Sequence, residues 1–245
     1  MMTRRMFGIL GLLVAALAAT AQDPPTAPKD KKVPSTFRAY LVVDKRFPAK
    51  TPPPVKPQDR DPRDRTDKMH CLVCDNGLSP VVAVFVRADP KGLARDTSGV
   101  VKLAKRVEDL IPKYRADKLA GFVIFLKTEG AAKPPVKVGG PDENGKTVEL
   151  DAEYPDDENR DEYARDINDV ATAANTPNIP FGLASVTSKS ATLWEIKPED
   201  EVTVIIYNRL RIVDRWVFKA DGPNDEEVNK IIAATKNMLP APVGE

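Results

Sequence analysis

Cys71-Leu72-Val73-Cys74-Asp75-Asn76-Gly77-Leu78-Ser79-Pro80-Val81-Val82-Ala83-Val84-Phe85-Val86 is the stretch on which the reading of this chain turns. Its second half, Val81 to Val86, is an unbroken apolar run, the composition of a strand covered on both faces. Its first half holds both cysteines of the 245-residue sequence, spaced Cys-x-x-Cys. Beside alternating strand and helix patterns that spacing is the usual sign of thiol–disulfide chemistry. Here the pair comes before the strand, in a loop that Gly77 and Pro80 allow to fold back over the strand ends.

Downstream of the quoted stretch the pattern is regular. Ser98 is placed to cap a helix in which Val100, Leu103, Ala104, Val107, Leu110 and Ile111 recur at helical spacing, and Pro112 closes it. Leu119 to Leu126 reads as a second buried strand. Strand, helix and strand in that order predict a crossover between parallel strands. Residues 131–157 interrupt the pattern with Gly139-Gly140-Pro141, a short strand over Thr147 to Leu150 and the acidic run Asp156-Asp157-Glu158. They read as a surface insertion, since the ligand spacing of a calcium loop is missing.

A helix with Tyr163, Ile167, Val170, Ala171 and Ala174 on one face follows, then a short strand from Ile179 to Val186 and a connection carrying Trp194 and Ile196. Val202 to Tyr207 and Leu210 to Phe218 read as two strands joined across Asn208-Arg209, a two-residue turn where Asn tolerates positive φ. Asn224 or Asp225 caps a last helix with Val228, Ile231, Ile232, Met238 and Leu239 facing inward.

Upstream, Arg4 and Arg5, the apolar run Phe7 to Ala18 and the small residues Ala19-Thr20-Ala21 read as a cleaved signal peptide over residues 1–21. The apolar run is too short for an ordinary membrane span. The expected product is exported, periplasmic or secreted. Residues 22–34 read as a disordered tether. Residues 35–69 read as an extension, with a strand over Phe37 to Val43 and an exposed proline-rich loop from Pro48 to Arg65. The main domain is expected over residues 70–240. The formal charge is +1, and losing Arg4 and Arg5 leaves 35 basic against 36 acidic residues. That balance gives no reason to expect nucleic acid, or a membrane after signal cleavage, as partner.

The element order from Val81 resembles the thioredoxin-like fold in its peroxiredoxin and extracytoplasmic thiol–disulfide oxidoreductase branch. The likeness rests on the short strand Ile179-Pro180-Phe181-Gly182-Leu183, the hydrophobic strand Glu201-Val202-Thr203-Val204-Ile205-Ile206-Tyr207 and the return strand Arg211-Ile212-Val213-Asp214-Arg215-Trp216-Val217-Phe218. Cys71, Cys74, Gly77, Pro80, Val81 and Val82 are also similar to a Cys-x-x-Cys-x-x-Gly-x-x-Pro-Val-Val pattern of exported members. The resemblance implies an α/β, three-layer fold with a mixed central sheet, here with an N-terminal extension and the 131–157 insertion. In working members the Cys-x-x-Cys follows the first core strand and opens the next helix, where helix N–H groups lower the thiol pKa. That place here reads Arg87-Ala88-Asp89-Pro90-Lys91-Gly92. Such enzymes also carry a cis-proline ahead of the hydrophobic strand, where this chain has Asp200-Glu201-Val202-Thr203.

Cys71, Cys74 and His70 are therefore the candidate catalytic residues. In one reading Cys71 attacks, the neighbouring His70 favours its thiolate, Cys74 resolves the mixed disulfide, and the partners are protein thiols or disulfides. In the other, the pair is a structural disulfide that fixes a loop in a non-catalytic binding or scaffold domain, as export favours oxidation. His70, Cys71 and Cys74 give three metal ligands where a closed zinc site takes four, so Asp75 or a second chain would have to complete one. No cofactor is expected: the order is not Cys-x-x-Cys-His, and no phosphate-cradling glycine loop is present.

Overall fold

The computed structural model describes residues 31–34, 36–46, 65–127 and 157–240. The expected signal peptide, residues 22–30 of the tether, the proline-rich loop up to residue 64 and residues 131–156 of the insertion lie outside the described residues. Seven strands are described: β1 (Arg38–Val43), β2 (Met69–Cys71), β3 (Val81–Val86), β4 (Ala120–Lys127), β5 (Phe181–Ser185), β6 (Val202–Asn208) and β7 (Arg211–Phe218). Five α-helices accompany them: α1 (Leu72–Asn76), α2 (Gly99–Glu108), α3 (Asp157–Ala174), α4 (Lys189–Leu193) and α5 (Asp225–Asn237).

The strands form one mixed sheet in the order β2-β1-β5-β4-β3-β6-β7. β3, β4 and β5 are mutually parallel, and β1 and β6 run antiparallel to their neighbours in that set. β1 pairs with β5 inside this sheet, so the extension and the main domain share it. The central position of β3 explains its uninterrupted apolar sequence. Val82, Val84 and Val86 belong to the core on one face, which α2, α3 and α5 cover through Leu103, Val170 and Ile231 among others. Val81, Ala83 and Phe85 belong to the core on the other face. Alternate residues of a strand point to opposite faces, so both sets must be apolar.

The second face holds an aromatic cluster. The Phe85 ring centre lies 4.8 Å from Phe37, 5.4 Å from Trp194 and 6.0 Å from Phe122. Trp194 in turn meets Tyr207 at 6.1 Å. Leu72 and Val73 of α1 pack into the same core, so the short helix next to the cysteines is anchored from below by apolar burial. These separations suit edge-to-face and tilted aromatic pairs.

Three local expectations shift. The two-residue turn of the last hairpin is Arg209-Leu210, with φ of 50° and 57°, because Asn208 still pairs with Arg211 in the ladder. The turn leans on the segment before β1: Val33 N–H donates to Leu210 O at 2.9 Å and Ile212 N–H to Lys31 O at 2.7 Å. Ser98 stands at the N-cap of α2 but its side chain makes no capping bond. The acidic run read as surface loop instead runs into α3, which begins at Asp157. The last helix is capped by Asn224, which accepts from Glu227 N–H at 3.0 Å while the Glu227 carboxylate accepts from Asn224 N–H at 2.7 Å.

Candidate functional site

Cys71 and Cys74 are joined in a disulfide with their Cα atoms 5.2 Å apart. They do not sit in a plain loop. Cys71 ends the outermost strand β2, opposite Arg38 of β1, and also serves as the N-cap of α1. Its Sγ accepts the Cys74 N–H at 3.1 Å. The pair therefore does open a helix, as in the family it resembles, but this helix precedes β3 and has five residues. Gly77 ends it at φ 52°, its N–H returning to Val73 O at 3.1 Å. A residue without a Cβ reaches that left-handed conformation at no steric cost. Cys71 is half-buried against the second core, whereas Cys74 is exposed.

The carboxylate after Cys74 organises the surroundings. Asp75 keeps only 13% of its side chain exposed and is met by basic side chains from three segments. His70 Nε2 of β2 lies 2.6 Å from its Oδ1. Arg65, just ahead of β2, bonds its Oδ2, and Arg46, beyond the end of β1, stands 3.5 Å from the same oxygen. Arg46 also holds the fully buried Asp44 through two bonds of 2.8 and 2.7 Å. Burial works to lower the pKa of Arg46, but its bonds to Asp44 and the nearby Asp75 outweigh that and hold it above the ordinary value.

The structure thus brings all three sequence candidates to the β2–α1 junction, yet it turns His70 toward Asp75. Sequence reasoning missed Asp75 as the organiser, and it missed Arg46 and Arg65 as its partners. The two arginines flank a long stretch of intervening sequence, and nothing in their spacing announces that they meet. Among the described residues no cluster of three or more His, Cys, Asp or Glu side chains is arranged to hold a metal ion.

The other end of β3 is where the resemblance would place the chemistry. Arg87 and Ala88 N–H groups both donate to Glu201 O, at 2.7 and 3.3 Å. Asp89 caps a single 3-10 turn, Pro90–Gly92, by accepting Lys91 N–H at 3.0 Å. α2 follows only at Gly99. Around it the sheet order is unambiguous: parallel β5, β4 and β3, then antiparallel β6 and β7, with a helix after β3, after β4 and after β7. The fold is thioredoxin-like.

No family model and no curated protein matches the chain. Solved structures similar to it include an uncharacterised conserved protein from Geobacillus kaustophilus, at 14% identity over 91% of this chain and 93% of that one, with a TM-score of 0.45. A yeast mitochondrial 1-Cys peroxiredoxin is 12% identical over 86% of this chain and 78% of its own, with a TM-score of 0.43. A putative thiol:disulfide interchange protein from Chlorobium tepidum is 14% identical over 85% and 98%, with a TM-score of 0.39. Similarity at this level speaks to neither substrate nor mechanism; the strand order carries the assignment of the thioredoxin-like fold.

Proposed function

We propose that this thioredoxin-like protein is a thiol–disulfide oxidoreductase that works outside the cytosol through Cys71 and Cys74. The observation that carries the reading is a closed Cys-x-x-Cys disulfide at a strand-to-helix junction with one sulfur half-buried and the other exposed. Arg4, Arg5, the apolar run and Ala19-Thr20-Ala21 support export, where a disulfide persists.

The chemistry follows from the exposure of the sulfurs. A partner thiolate attacks Cys74 Sγ, the S–S bond to Cys71 breaks, and Cys71 leaves as a thiolate with the Cys74 N–H already directed at it. A second partner thiolate attacks the partner sulfur of the mixed disulfide, Cys74 leaves as a thiolate, and the partner acquires its own disulfide. Two electrons pass from partner to protein, and the reverse sequence reduces a partner disulfide. In both directions Cys74 bears the mixed disulfide, while Cys71 is the leaving thiolate when the partner is oxidised and the resolving one when it is reduced, which exchanges the roles that adjacency to His70 suggests. Activation of Cys71 comes from the N–H at the helix cap, since His70 is engaged by Asp75.

One observation favours the second reading, a scaffold domain with a structural disulfide: Cys71 packs into the core and the pair ties α1 to the edge strand. The deciding experiment titrates the pair against glutathione and assays disulfide reduction beside the Cys71→Ser, Cys74→Ser double variant. The oxidoreductase reading requires a potential in the range of known oxidoreductases and activity above that of the variant. Equal activity selects the scaffold.

A further inference from the structure

An open groove of ≈ 1060 Å³ lies at the end of the sheet where β3 and β4 begin, between the α1–β3 turn, the residues leading into β4, the β6–β7 turn and the end of α5. We propose that this groove seats an extended, acidic segment of the protein whose thiol or disulfide reacts with the Cys71–Cys74 pair. The inference rests on the oxidoreductase reading and adds the chemistry of the partner.

Position is the first argument. α1 carries the sulfurs at one end and reaches the groove at the other, where Asp75, Asn76 and Gly77 form its near wall. Cys74 directly precedes that wall and is exposed. About three residues of extended chain span ~10 Å, enough to run from a sulfur on Cys74 into the groove.

Charge is the second. Lys118 and Arg209 line the groove, with Arg211 beside them engaged in an interaction of its own, against the carboxylates of Asp117 and Asp75. Asp75 already faces Arg46 and Arg65, so Lys118 and Arg209 outweigh Asp117 and the lining presents positive charge to an incoming chain. Apolar anchorage is the third. Leu78 is 66% exposed on the rim, and Val213 and Met238 add apolar surface. A segment that alternates carboxylates with aliphatic side chains matches both features.

The backbone supplies a fourth argument. Lys118 and Arg209 hold φ of 58° and 50°, a region that asparagine or glycine fills with far less strain. Of the six described non-glycine residues at positive φ, these two line the groove, and both carry a cation. Strain retained at a side chain with the right charge is expected where that charge has a ligand.

The test uses the full chain without its signal peptide and a labelled synthetic peptide of about eight residues, ~26 Å when extended. The peptide alternates glutamate with leucine around one serine in the place of cysteine, so that no disulfide exchange occurs. A second peptide replaces each glutamate by lysine. Fluorescence anisotropy is expected to show the acidic peptide binding about tenfold more tightly than the basic one, with the preference fading at high salt. The Lys118→Asn, Arg209→Asn double variant suits the left-handed backbone and is expected to abolish the preference while keeping the fold. Leu78→Ser is expected to weaken both peptides. Equal binding of the two peptides, or undiminished binding of the acidic one by the double variant, overturns the proposal. So does a dimer on gel filtration that the double variant dissolves, since the groove would then seat a second copy. Failure of the disulfide-reduction assay with peptide binding intact would instead remove the oxidoreductase reading and leave a docking groove.

Discussion

The two ends of β3 carry different side chains. Beyond Val86 the chain is fastened as a structural corner: backbone bonds to Glu201, a capped 3-10 turn, and a Lys91 ammonium 2.9 Å from Glu162 on α3. It holds no sulfur, and burial depresses the pKa of Arg87 against the pull of Asp200 and Glu199. Before Val81 lie the disulfide, an exposed sulfur and the clasped Asp75. The resemblance assigns chemistry to the first of these ends, whereas both cysteines stand beside the second. A shared architecture supplies a rigid strand with two ends; which end reacts depends on the side chains placed there.

The largest expected effect strikes the strand common to both ends. Phe85→Ala would open a cavity between Phe37, Phe122 and Trp194 and cost about 3–5 kcal/mol in urea unfolding. It would loosen corner and sulfur site together. Gly99→Ala should separate them. A Cβ at Gly99 would stand 2.1 Å from Pro223 O, so the start of α2 must shift, at a cost of about 1–3 kcal/mol. Thermal or urea unfolding would show that loss, while the reduction potential of Cys71–Cys74 should stay at its wild-type value. A shifted potential would mean that the two ends are coupled through the sheet, and the contrast between them would fail.

How far the sequence could carry the comparison depended on the range of each signal. β3 was legible because a strand covered on both faces must be apolar throughout, and the same logic located β4 and β6. The last helix was legible from a cap at Asn224 or Asp225 and the helical spacing of Val228, Ile231 and Ile232. The hairpin turn slipped by one residue because its register is set by contacts with Lys31 and Val33, which lie far away in sequence. Ser98 occupies the cap position without the cap bond, since propensity marks where a helix begins and not which bonds form. At the candidate site the cysteine pair was plain, and α1, which Cys71 caps and which contains Cys74, was not: five residues are too few to show a period. The partnership of Asp75 with Arg46, Arg65 and His70 was invisible, because no spacing rule links residues brought together by β1 and β2 pairing.

Effects confined to the sulfur end should be smaller. Replacing both cysteines by serine removes a cross-link over a very short loop, which chain-entropy reasoning values at about 2 kcal/mol. The loss should vanish when wild type is compared under reducing conditions. A persistent difference would mean that the sulfurs contribute through packing. Asp75→Asn keeps the shape and removes the charge that Arg65 and His70 face, while Arg46 retains Asp44. The expected cost is about 1–2 kcal/mol, between the values for exposed and buried pairs. With α1 held less firmly the two thiols meet less often, and a nearby thiolate loses a repelling carboxylate. Both effects favour the reduced form. A redox titration should show a potential raised by about 30 mV, a tenfold change in the exchange constant. An unchanged potential with lowered stability would make Asp75 a structural residue only.

The smallest expected effect has the opposite sign and is the most discriminating. Arg209 sits at φ 50° in the last hairpin turn, where asparagine is favoured over any long side chain. Arg209→Asn should therefore stabilise the protein, by roughly 0.5–1 kcal/mol from relief of left-handed strain. If the groove has no ligand, the substitution is pure gain, and peptide binding should not change. If the groove reads acidic segments, the same variant becomes more stable and binds them less well, a trade of stability against recognition. Unfolding and anisotropy measured on this one variant therefore move in opposite directions only when the cation is held in a strained turn for the sake of its charge.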